Sequence, residues 1–200
     1  MRLNALVFLV LLFALTQCSP QTERPTPPNP SAKPKVVVGG LAIPKRDQTE
    51  VRPSPNAWVV QSVGKAQLTV SYGRPGVKGR TIFGGLEPWG EVWRAGANEA
   101  TVFATTDDLL IQGQWLPKGV YALFMIPQTK EWVMVWNRQA DQWGAFNYDQ
   151  KQDALRINIK PERIPLTEWL TYRFENLQDR SVALLMEWEE TRIRIPISLK

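Results

Sequence analysis

Two hundred residues, 44% of them hydrophobic and 22% charged, make a globular chain with extensions rather than a disordered or polytopic one. The formal charge of +5 comes from 24 basic residues spread among 19 acidic ones, without the clustered basic stripe of a nucleic-acid binder, so no nucleic-acid partner is expected. Histidine is absent and Cys18 is the only cysteine, which excludes disulfides, His- or Cys-built zinc sites and Ser-His-Asp or Cys-His machinery from the rest of the chain.

Met1 and Arg2 precede an apolar run from Leu3 to Leu15 that only Asn4 interrupts. This reads as a signal peptide over residues 1–17, because the run falls short of the about 20 apolar residues a membrane span needs. The sequence Leu15-Thr16-Gln17-Cys18 resembles a lipobox, in which the first mature residue carries a diacylglycerol, although Gln17 stands where a small residue is usual. The expectation is a chain lipid-anchored through Cys18 in the cell envelope, with the membrane as one partner. Ser19, in place of the aspartate associated with inner-membrane retention, points to the outer membrane or a periplasm-facing position.

Residues 18–52 are rich in Pro, Thr, Lys, Arg and Gln and hold too little apolar surface for a core, which predicts a disordered, extended tether. Val36-Val37-Val38 before Gly39-Gly40 is its one apolar patch and reads as a short strand at the edge of the domain. From residue 53 to 200 the texture is that of a single β domain. Short β-branched and aromatic runs are separated by Gly, Pro, Asn and Asp about every ten residues. Candidate strands are 58–63, 66–73, 100–106, 108–115, 119–127, 131–137, 154–160, 167–176, 181–188 and 191–198.

Leu155, Ile157 and Ile159 alternate with Arg156, Asn158 and Lys160, and Ile193, Ile195 and Ile197 repeat the period. No segment of ten residues carries a helical apolar period. The predicted fold is therefore an all-β antiparallel sandwich, with a partly open barrel as its rival. Nine tryptophans would fill much of the core.

The connection from Gly73 to Asn98 is long enough to carry function. Arg74, Lys78 and Arg80 precede its first acid, Glu87, among glycines whose N–H groups can converge on an anion, but at neither nucleotide-binding spacing. Its second half joins Trp89, Glu91, Trp93, Arg94, Asn98 and Glu99, a mixture of aromatic and polar groups that suits a sugar or another polar ligand. The competing reading has Trp89 and Trp93 capping the core above an Arg94–Glu99 ion pair. A third loop concentrates Trp143, Phe146 and Tyr148, read as packing that lies beside the long loop, with Trp143 and Tyr148 kept as ligand candidates. Asp107-Asp108 and Glu189-Glu190 read as solvated turn charges.

The motifs Ser71-Tyr72-Gly73-Arg74-Pro75-Gly76-Val77-Lys78-Gly79-Arg80, Ile82-Phe83-Gly84-Gly85-Leu86, Val92-Trp93-Arg94-Ala95-Gly96-Ala97-Asn98-Glu99, Leu116-Pro117-Lys118-Gly119-Val120-Tyr121-Ala122-Leu123 and Gln142-Trp143-Gly144-Ala145-Phe146 stand in order along the chain. Through them the sequence resembles the bacterial family called domain of unknown function 2911, from about Ser54 to Leu199. The resemblance implies an exported, often lipid-anchored β-rich domain and no reaction. Three functional readings stand: a binding module for a glycan or other polar ligand, a carboxylate-dependent glycoside-processing enzyme using Glu91 and Glu99, and a purely structural envelope protein. None calls for a cofactor or a metal.

Overall fold

A computed structural model of the chain describes residues 35–46 and 51–200. The expected signal peptide, Cys18 with its lipid, and the rest of the Pro-rich segment lie outside the described residues. Six antiparallel strands form the larger sheet, in the order β10 (Asp153–Ile159), β9 (Trp132–Asn137), β8 (Gly119–Ile126), β5 (Thr101–Thr105), β4 (Ala66–Gly73), β3 (Asn56–Val63). The smaller runs β11 (Glu162–Glu175), β12 (Ser181–Leu199), β6 (Leu109–Ile111), β7 (Gln114–Leu116). A 3-10 turn at Gln150–Gln152 leads into β10. Neither sheet closes into a barrel, so the sandwich stands and its rival does not. No helix among the described residues is long and apolar enough to cross a membrane.

The period-two pattern decides which residues meet. Leu68, Val70 and Tyr72 of β4, Leu123 and Met125 of β8, Trp132, Met134 and Trp136 of β9, and Leu155, Ile157 and Ile159 of β10 share one core. Leu184, Met186, Trp188, Ile193, Ile195 and Ile197 of β12 complete it.

The two strands expected at 181–188 and 191–198 form the single element β12, which doubles back at Glu189-Glu190. Nineteen extended residues would span roughly 60 Å. Yet Leu199 N donates to Arg180 O at 2.9 Å, and Arg192 Nε donates to Glu187 Oε1 at 2.6 Å. Glu189 takes a left-handed φ of 55° at the tip. Strand β11 pairs with both limbs, Glu162 opposite Arg192 and Tyr172 opposite Met186, and its register shifts twice as it passes the tip.

The expectation of a tether over 18–52 needs correction for residues 35–46. Strands β1 (Lys35–Val38) and β2 (Leu41–Pro44) form a hairpin whose Ile43 is fully buried against Val102 and Ala104, with Val38, Leu41, Trp58 and Val120 around it. The apolar patch does form a strand, but it belongs to a two-strand cover over the outer face of the large sheet. Gly39 carries the turn at φ 55°, where a Cβ would stand 2.5 Å from the Thr106 methyl.

Beyond the hairpin, Arg46 is 2% exposed. It donates to Ser71 Oγ at 3.1 Å, Ser71 O at 2.9 Å, Ala100 O at 2.6 Å, Glu99 O at 3.3 Å and Glu99 Oε2 at 3.2 Å. Burial lowers its pKa to about 10 although Glu99 pulls upward. Composition concealed this because an apolar count does not register a buried, fully bonded arginine.

Candidate functional site

The β4–β5 connection is laced to the rest of the fold by its own cations. Arg74 donates to Leu170 O at 3.0 Å and Thr171 Oγ1 at 3.0 Å, tying the loop to β11. Arg80 donates back to Val77 O and Gly76 O, closing its own turn. Lys78, at φ 50°, gives its backbone N–H to Glu168 Oε1. Arg74 thus serves β11 and Arg80 the loop's own carbonyls, and the glycine-rich stretch does not present three cations to one anion.

Further on, Phe83 meets Trp132 edge-on at 4.5 Å and Trp93 at 5.7 Å, while Trp93 stacks on Trp188 at 5.7 Å. Trp93 is 2% exposed and donates to Gly96 O, so it belongs to the core. Tyr172 OH and Thr101 Oγ1 both donate to Ala95 O, which fixes the turn after Arg94.

The expected Arg94–Glu99 pair does not form. Arg46 and Arg52, both supplied from before the β domain, occupy the Glu99 carboxylate. Ala95 and Asn98, both at positive φ, turn the chain between Arg94 and Glu99. Arg94 Nε is buried without an acceptor, and its charge acts instead on Glu87. Burial pushes the Glu87 carboxyl up to about 7, although Arg94 and Arg80 pull it down.

Asn98 and Glu99 adjoin the Trp143 loop: Gly144 N donates to Asn98 O at 3.0 Å and Ala100 N to Gln142 O at 3.0 Å. Within that loop only Tyr148 packs as expected, edge-on to Phe124 and bonded to Asp153 and Arg156. Burial and the Asp153 carboxylate raise its pKa to about 12 against the pull of Arg156. Trp143 at 53% and Phe146 at 82% are exposed instead, because the turn through Gly144 points them away from the sheet. The expected site residues therefore fall into three places: Arg74, Lys78 and Arg80 along β11, Trp93 and Arg94 under the loop, and Asn98, Glu99, Trp143 and Tyr148 beside the sheet's outer face. Glu91 lies exposed in the turn near Pro127, while Glu99 is held between two arginines, so the two carboxylates do not form an acid/base pair.

A different set converges at the end of the sandwich where β12 turns. A cleft of about 530 Å³ opens there, with Phe83 and Trp132 in its floor and Trp89 on its wall. Polar groups enter from three further segments: Gln128 and Thr129 from the β8–β9 turn, Glu162 and Arg163 from the start of β11, and Glu189 and Glu190 from the β12 tip. Trp89 is 45% exposed rather than capping the core. Its indole lies across Gly84, where a Cβ would stand 2.2 Å from Nε1 and where φ is +85°.

Most of the cleft's charges are already paired. Glu190 takes Arg163 at 2.7 Å and Glu162 takes Arg194 at 3.2 Å. Glu189 Oε1 accepts the Ile82 N–H at 3.0 Å, and no cation among the described residues lies within ion-pair distance of it. Of the cleft residues, sequence reasoning had singled out only Trp89, and it had set Glu189 and Glu190 aside as solvated turn charges. The overlooked signal was the pair of strands flanking Glu189-Glu190, which forces a tight reversal and aims both side chains at the sandwich end.

Residues 54–197 match a family model described as "Protein of unknown function (DUF2911)". No curated protein and no solved structure matches the chain significantly.

Proposed function

The chain belongs to that family, and on this premise we propose that its sandwich is a binding module for a glycan or another small polar ligand, taken in the cleft at the β12 turn. The observation that carries the reading is Trp89, a half-exposed indole on the wall of a concave site whose other groups are hydrogen-bonding side chains from separate loops. An aromatic face covers the apolar side of a sugar ring while fixed polar groups set its orientation. Residues 1–17 and Cys18 support a wider context in which the module is exported and held at the cell envelope by a lipid.

A glycan array probed with wild type and Trp89→Ala tests this. Wild type should retain a subset of glycans, and truncating the aromatic anchor should weaken them about tenfold or more. Asn98→Ala, which does not line the cleft, should retain them. An array on which wild type holds nothing would refute the glycan form of the reading, and one on which Trp89→Ala matches wild type would refute the Trp89 cleft as the site.

A further inference from the structure

The cleft's charges point to the ligand class. Glu162 and Glu190 are each satisfied by an arginine, which leaves Glu189 as the carboxylate without a cationic partner. One of its oxygens takes the Ile82 N–H, and that bond fixes the side chain while leaving the second oxygen available. Glu189 also sits at φ 55° on a tight reversal, a position where glycine or asparagine is easier to accommodate. The same cleft offers the half-exposed Trp89 indole, whose ring face attracts a cation.

We propose that the cleft takes a sugar bearing a free amine, with the ammonium on Glu189 and the ring against Trp89. This rests on the binding-module reading and adds a charge to its ligand. The protein as a whole opposes such a ligand, because its net charge is +5. A preference for cations must therefore arise at the site, and generic attraction does not supply it.

Three β-1,4-linked trisaccharides separate the possibilities, since they differ only at carbon 2: glucose carries a hydroxyl, N-acetylglucosamine an acetamide and glucosamine an ammonium. Titrations followed by tryptophan fluorescence, at pH 6 and about 0.15 M salt to screen distant charges, should show the glucosamine trimer binding about tenfold more tightly than the other two. Glu189→Gln keeps an acceptor for Ile82 N, so its melting temperature should hold while the preference disappears and neutral-sugar affinity persists. Equal affinity for all three sugars, or a preference that survives Glu189→Gln, overturns the amine assignment and leaves the binding module standing. Failure of all three sugars to bind, with tryptophan emission unmoved, overturns the amine assignment, while the glycan array decides the binding module separately.

Discussion

Replacing Arg46 with methionine tests whether residues 35–46 belong to the folded domain. The guanidinium makes five hydrogen bonds at 2% exposure, and its loss strands the Ser71 and Ala100 carbonyls beneath the cover. Removing one member of a buried charge pair costs about 3 to 5 kcal/mol. Here Glu99 is 24% exposed and keeps Arg52 at 2.9 Å, which removes part of that penalty. The expected loss is thus about 2 to 3 kcal/mol, or roughly 4–12 °C in melting temperature for a domain of this size. Arg46→Lys keeps the charge but cannot reach Ser71 and Ala100 as a fork, so it should fall between wild type and methionine. Urea unfolding of the three proteins reads the series directly. A methionine variant within about 0.5 kcal/mol of wild type would mean that the strap is not seated in solution.

Three further outcomes are expected. Glu87, raised by burial from 4.5 to about 7, holds its proton more tightly when folded, so its own contribution to stability is fully present below about pH 4.5 and is lost as pH rises through 7. Glu87→Gln should flatten that decline and raise the unfolding free energy at pH 8 by about 2 kcal/mol once partial solvent access is allowed for; parallel pH profiles would refute it. Gly84→Ala sets a Cβ against the Trp89 indole at a positive φ, so it should cost roughly 1–2 kcal/mol and blunt ligand binding, as calorimetry and fluorescence titration would show. Cys18→Ser should release the protein from membranes, and an intact mass showing an unmodified wild-type thiol would contradict the lipid anchor.

The strands were legible because burial on one face imposes a period of two that survives in the sequence, as Leu155, Ile157 and Ile159 illustrate. The antiparallel sandwich followed from turn residues at short intervals. The cleft was not legible for a different reason. Phe83, Trp132, Glu162 and Glu189 are scattered over more than a hundred positions, and only the closing of the two sheets brings them to one end. Within the long loop, local proximity misled: Arg94 and Glu99 are five residues apart, yet Glu99 is claimed by arginines about fifty residues earlier. Exposure misled as well. Four tryptophans, at positions 93, 132, 136 and 188, are buried, while 89, 115, 143 and 169 reach solvent, a division that composition cannot make.

The same competition for Glu99 bears on where the domain begins. The family match starts at residue 54, yet both arginines on Glu99 and the hairpin that buries Ile43 come from before it. A chain cut at 54 would uncover Val102, Ala104 and Val120 on the sheet's outer face. It would also leave the Glu99 carboxylate without either arginine. Exposed apolar strand faces and an uncompensated, partly buried charge both favour association or unfolding. The stable unit is therefore the matched domain together with its preceding strap from residue 35, and titrations aimed at the cleft should use a chain that retains it.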